Sequence, residues 1–153
     1  AHLGLHRMSF GSRSLTSPSA ADKAREQACK AVGCEACNLL GLPKTEHCGA
    51  IEFHHIKVGN VVVSHQAGYA LGLWHHQGRS KPGWSRDRML EKYGPNLLDH
   101  KVRFHAQFGS DQTMLNGQND RIGYQREEIP ARRKERRGDS PTARPTKIFR
   151  GFA

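Results

Sequence analysis

Ala50-Ile51-Glu52-Phe53-His54-His55-Ile56 reads as a β-strand, because apolar and polar side chains alternate along most of it. Adjacent residues of a strand face opposite ways. One histidine of the His54-His55 pair can therefore hold an ion while the other faces a water molecule. A neutral imidazole takes a proton readily near neutral pH. A cation beside it stabilises charge on a phosphate and on its leaving oxygen. Further along, Trp74-His75-His76-Gln77-Gly78 brings a second histidine pair, and His65 lies between the two.

Upstream stands Cys34-Glu35-Ala36-Cys37. Two thiolates at this spacing reach one Zn²⁺ from a tight turn, and the ion then needs two more ligands from elsewhere. Taken singly, each of these pieces has an ordinary structural explanation. Together, Cys34, Cys37, His54, His55, His75 and His76 place six ligand-bearing side chains between residues 34 and 76. That density points to metal sites in a small α+β domain.

Good helix formers from Ala20 to Val32 predict a helix that Gly33 ends. Gly41 and Pro43 predict a knuckle and loop from Cys34 to Cys48. Val61-Val62-Val63 is read as a short β segment, and Tyr69 to His76 as leading into a helix or turn. A loop is expected from Gly78 to Gly83. Helices are expected from Arg86 to Tyr93, closed by Gly94-Pro95, and from Leu97 to Phe108, closed by Gly109. After Gly117 apolar residues thin out and basic runs such as Arg132-Arg133-Lys134 take over. The expected organisation is a flexible basic arm over 1–19, one domain over 20–116 and a disordered basic tail over 117–153.

Charge narrows the partners. Lys and Arg total 24 against 14 Asp and Glu, a net +10 over 153 residues. Such a surface attracts polyanions. No apolar run approaches the ~20 residues of a membrane-spanning helix, and no secretory leader is read at the start. The cysteines are therefore expected to bind metal in a reducing cytoplasm rather than to form disulfides. Arg79, Lys81, Arg86, Arg88, Lys101 and Arg103 are candidate phosphate contacts. Trp84 could stack on bases, whereas Trp74 is expected in the core.

The ordered series resembles the phage recombination-enhancement nucleases, the Ref family, within the broader HNH endonuclease group. It comprises Cys34-x-x-Cys37, His54-His55-Ile56, His65, Trp74-His75-His76-Gln77-Gly78, Tyr93-Gly94-Pro95-Asn96-Leu97 and Lys101 to Gly109. The resemblance runs from about Gly33 to about Leu115. It implies a ββα-metal (HNH) finger with flanking helices. It makes His54 a ligand of the catalytic ion and His55 the general base. His65 falls at the middle position of the pattern, orienting the base or supporting the loop. His76 matches the closing ligand of the catalytic ion, and His75 joins Cys34 and Cys37 on a structural Zn²⁺.

The resemblance further implies Mg²⁺ or Mn²⁺ as catalytic ion, with zinc an alternative, DNA as substrate and a recombinase filament as partner. One departure stands out. Related sequences carry a cysteine where this chain has Gly72, so Cys48, or failing it His47, is expected to complete the structural site. His100 and His105 lie roughly 140° apart on a helix, so at most one faces the catalytic ion; His100 is taken as the third ligand. The rival to a nuclease is a non-catalytic zinc module that binds nucleic acid; a decayed prophage remnant is a third reading.

Overall fold

The structure, a computed structural model, describes residues 16–124. The first helix, α1 (Ala20–Val32), has the expected limits, and local chemistry sets both ends. The Ser19 hydroxyl accepts from Asp22 N, while the Asp22 carboxylate accepts from Ser19 N, forming a capping box. At the other end Gly33 adopts φ +90°, and a Cβ there would lie 2.5 Å from His47 Nδ1. Glycine is required on both counts.

The stretch read as a loop contains a short helix, α2 (Glu35–Leu39), and a 3₁₀ turn at Lys44–Glu46. Gly41 and Pro43 fall between these two elements, so the breakers were placed correctly while the helical turns beside them went unread. Strand β1 (Ile51–His55) continues through Ile56 into a small hairpin, β2 (Lys57–Val58) and β3 (Val61–Val62). Gly59 makes its turn at φ +62°.

The chain then returns as β4 (Gly68–Gly72), antiparallel to β1, with His54 opposite Tyr69 and Ile51 opposite Gly72. The sequence suggested only a helix or turn here. Strand β4 is buried along its whole length, between β1 and the helices α1 and α6. A strand covered on both faces shows no alternation to read.

Directly after β4 comes α3 (Leu73–Gln77), then α4 (Arg86–Tyr93), α5 (Lys101–Phe108) and α6 (Asp111–Ile122). Two antiparallel strands feeding a helix, with helices around them, make the α+β class expected. Two boundaries differ from expectation. Helix α5 begins at Lys101 rather than Leu97, because the preceding backbone is held otherwise: Leu97 N donates to His75 O, and Asp99 N to the buried Asn96 side chain.

Helix α6 also runs past the boundary expected at 116/117. Its Gln118 is fully buried, accepting from Ala70 N at 2.5 Å and donating to Gly33 O at 3.3 Å. Together with Arg25, which donates to Gly68 O, it satisfies the edge of β4 that β1 leaves open. Few apolar residues are needed for that work, which is why composition understated this segment. The core packs Tyr69, Leu71, Trp74, Met89, Tyr93, Phe104, Phe108 and Met114 around the buried cysteines. No described helix is long and apolar enough to cross a membrane. The expected basic arm and tail lie, apart from residues 16–19 and 117–124, outside the described residues.

Candidate metal centre and histidine cleft

Cys34 caps the start of α2, Cys37 lies one turn on, Cys48 precedes β1 and His75 sits on α3. All four are fully buried. Their three Sγ atoms and one imidazole nitrogen lie within 4.8 Å of one another. His75 Nδ1 is 3.2 Å from Cys34 Sγ, 3.6 Å from Cys37 Sγ and 3.2 Å from Cys48 Sγ. Its Nε2 donates to Tyr93 O at 2.8 Å, which leaves the Nδ1 lone pair facing the sulfurs.

A tetrahedral zinc with Zn–S ≈ 2.3 Å and Zn–N ≈ 2.0 Å requires S···S of about 3.8 Å and S···N of about 3.5 Å. The Cys34–Cys48 separation is 3.9 Å. The quartet therefore fits Zn²⁺ in ligand type, count and spacing. Burial drives the Cys34 thiol well above its ordinary pKa, while contact with Cys34 and Cys37 pulls Cys48 down. A divalent ion would relieve that conflict by favouring thiolate at all three positions.

Gly72 explains how Cys48 comes to stand there. A Cβ at 72 would lie 2.5 Å from Cys48 Sγ, so this sulfur fills the space into which a side chain at 72 would project. His47, the other candidate for the fourth position, has both ring nitrogens engaged. Its Nδ1 accepts from Cys34 N at 3.1 Å, and its Nε2 donates to Leu42 O at 3.2 Å. It supports the knuckle instead of binding the ion.

The other three histidines of the two pairs, His54, His55 and His76, serve a different place. An open cleft of about 690 Å³ is lined by Phe53, His54 and His55 of β1, His76 of α3, Lys57, Gly59 and Val62 of the hairpin, Leu97, Leu98 and Lys101 around the start of α5, and Asp111 of α6. The His54 and His76 rings are 5.3 Å apart. Burial, reinforced by the charge of His76, pushes the His54 pKa down to about 4, so its imidazole is neutral at pH 7. Burial also lowers His55 from its ordinary value. The two neighbours on the strand keep different company: His54 meets Tyr69 at 5.2 Å, whereas His55 meets Phe53 at 5.0 Å and His65 at 6.2 Å. His65 itself bonds Thr16 O at 2.5 Å.

Sequence reading passed over two carboxylates, one that holds a cleft histidine and one that borders the cleft. Glu52 Oε2 accepts from His76 Nδ1 at 2.7 Å and from Gln77 at 2.5 Å, which leaves His76 Nε2 as the free lone pair. Its signal was available: Glu52 is two residues before His54 and so shares its strand face. Asp111 accepts from the buried Tyr69 hydroxyl at 2.7 Å and borders the cleft. Nothing local marks it, since it arrives on a helix far along the chain.

His100, expected as a third ion ligand, occupies the cap position of α5 and is not among the cleft-lining residues. His105 turns its Nδ1 to Gly109 O and its Nε2 toward Asp111, 3.9 Å away. Of the candidate phosphate contacts, Lys101 borders the cleft, and Arg79 and Arg103 are exposed. Lys81 instead bonds Tyr93 Oη at 2.7 Å, away from the cleft. Arg86 is committed to holding Gly78 O and Asp99.

A family model described as recombination enhancement, RecA-dependent nuclease, matches residues 18–122, more than half of the chain. The match takes in the whole of α1 and of α6 as well as the cysteine and histidine motifs. No curated protein matches the chain.

Proposed function

The chain belongs to the recombination-enhancement, RecA-dependent nuclease family, and on that premise we propose that it is an HNH-type endonuclease. In this reading it hydrolyses DNA phosphodiester bonds at the histidine cleft. The observation that carries the reading is the approach of His54 and His76, from separate elements, to 5.3 Å in one cleft with His55 beside them.

His54 and His76 would hold a divalent ion, Mg²⁺ or Mn²⁺. Such an ion supplies positive charge against the phosphate and the leaving oxygen. Glu52 fixes the His76 tautomer so that Nε2 faces outward. Asp111, which accepts from Tyr69 and borders the cleft, is the carboxylate taken to complete the ligand set in the place first given to His100. His55, kept neutral by burial, accepts the proton of the attacking water, and His65 braces it. Lys57 and Lys101 meet the flanking phosphates at the rim.

The buried Cys34-Cys37-Cys48-His75 quartet would hold a structural Zn²⁺. His75 and His76 are consecutive on α3, so the same helical turn serves both sites. A recombinase filament is the proposed partner, which places the reaction in the cytoplasm. The nuclease unit is taken to run from α1 to α6, and the basic segments beyond it add salt-sensitive affinity for DNA.

Plasmid nicking in Mg²⁺ or Mn²⁺ tests this. His55→Ala should slow nicking by about 10²–10⁴-fold while DNA binding is retained. If the wild-type chain nicks with no divalent ion, or if His55→Ala nicks as fast as wild type, the reading fails. Should no wild-type nicking occur in any metal, the non-catalytic zinc module stands instead.

A further inference from the structure

We propose that the surface formed by Trp84 and the Arg88 face of α4 is a second contact for the DNA phosphodiester backbone, separate from the histidine cleft. The proposal rests on nucleic acid being the substrate. None of the residues concerned lines the cleft. Trp84, half-buried just ahead of α4, is ringed by cations. The Arg88 guanidinium carbon lies 3.8 Å from an indole centroid, Lys81 Nζ 5.6 Å and Lys92 Nζ 5.7 Å. The Tyr93 ring adjoins at 6.0 Å and has the same two lysines at 5.1 and 5.7 Å.

Three like charges gathered over two rings repel one another. The negative ring faces offset only part of that repulsion. The acid that answers is Glu46, 3.4 Å from Lys92 and half exposed. Among the described residues, Arg88 and Lys81 have no carboxylate partner. Asp87 lies about 100° round α4 from Arg88 and Glu91 about 60°, and among the described residues neither forms an ion pair with it. The patch is thus short of anions, and a chain of phosphates supplies them.

Arg88 also sets the mode of recognition. With its central carbon 3.8 Å from the indole centroid, the guanidinium sits over the ring, and its fork of N–H donors can meet two phosphate oxygens together. It covers the ring face that a base would occupy. The surface therefore holds backbone and reads no sequence. Trp84 stacking on bases, the expectation from sequence, gives way to Trp84 serving as the platform for an arginine. Tyr93 ties this face to the metal centre through its carbonyl, which accepts from His75 Nε2.

The test is the salt dependence with which the full zinc-loaded chain binds a short fluorescent DNA duplex, with no other divalent ion added. Arg88→Ala should weaken binding about three- to tenfold and lower the log–log salt slope by about 1. Arg88→Lys should keep the slope but lose part of the affinity, because an ammonium does not stack flat. Zinc content and thermal unfolding control for folding, and Arg88 is exposed. Unchanged affinity and slope in both Arg88→Ala and Lys81→Ala/Lys92→Ala would overturn the proposal while leaving the cleft reading in place. Loss of binding to poly-glutamate with DNA affinity unmoved would also overturn it, in favour of an acidic protein partner. A wild-type chain that binds no DNA would overturn both readings. Nicking indifferent to His55→Ala, alongside a clear Arg88 effect, would remove only the cleft reading.

Discussion

A single missing Cβ decides which sulfur completes the buried quartet. With Cys48 Sγ 2.5 Å from where that atom would be, Gly72→Ala must push the sulfur or the strand aside. Its zinc affinity should fall roughly tenfold or more, as for other changes that disturb how a ligand is held. Competition with a chromophoric chelator measures this, and an unchanged affinity would contradict the packing described. His55 carries a prediction about pH. Burial lowers its pKa below the ordinary 6.5, and only the neutral ring can take a proton from water. The nicking rate should therefore fall in acid with a midpoint below 6.5; a midpoint at or above 6.5 would count against His55 as the base. At this scale the sequence was most informative about metal-ligating residue types that come in pairs. Cys34, Cys37 and both histidine pairs were legible from spacing. Asp111 was not, because its carboxylate gains meaning only from the tyrosine that folding sets against it; Glu52 was legible from its place two residues before His54 but was passed over.

Elements were legible where their ends are written in local chemistry. Helix α1 has a serine cap, an aspartate three residues on and a closing glycine, so its limits could be read directly. Strand β4 has none of these, and its burial on both faces erased the alternation that identified β1. Helix α6 was not read as a helix, and the domain boundary fell inside it, because its role is polar. Besides Gln118, it offers Arg121, whose Nε lies 3.0 and 2.9 Å from the two oxygens of Glu35. Glu35 is fully buried at the start of α2, beside the cysteine knuckle, and Arg121 joins α6 to it. Arg121→Ala leaves that carboxylate facing no cation. A loss of roughly 1–3 kcal/mol is expected, since Arg121 is itself partly exposed. Urea unfolding of the zinc-loaded chain measures it; a loss near zero would mean that α6 is not anchored through this pair.

For the molecule as a whole, the metal centre sits where the knuckle, α3 and the aromatic core meet. The His75 ring packs against Phe108 at 5.2 Å, Phe104 at 6.0 Å and Tyr93 at 6.1 Å. A domain of this size buries a modest core, so the ion should contribute a large share of its stability. Stripping zinc with a tight chelator should abolish the cooperative thermal transition and cleavage together, and restoring zinc should recover both. A chain that keeps its cooperative melt without zinc would show that the quartet is only a set of buried thiols. The α+β class and the convergence of two histidine pairs were anticipated from the order of motifs. The grouping of cations around Trp84 was not, because Lys81, Arg88 and Lys92 come together only once α4 packs beside it. Everything in the nuclease reading depends on His54 and His76 sharing one cation. The most direct measurement is anomalous diffraction from crystals of the zinc-loaded chain soaked in Mn²⁺. A manganese peak bound by both His54 and His76 is expected; a peak bound elsewhere, with nicking activity intact, would contradict it.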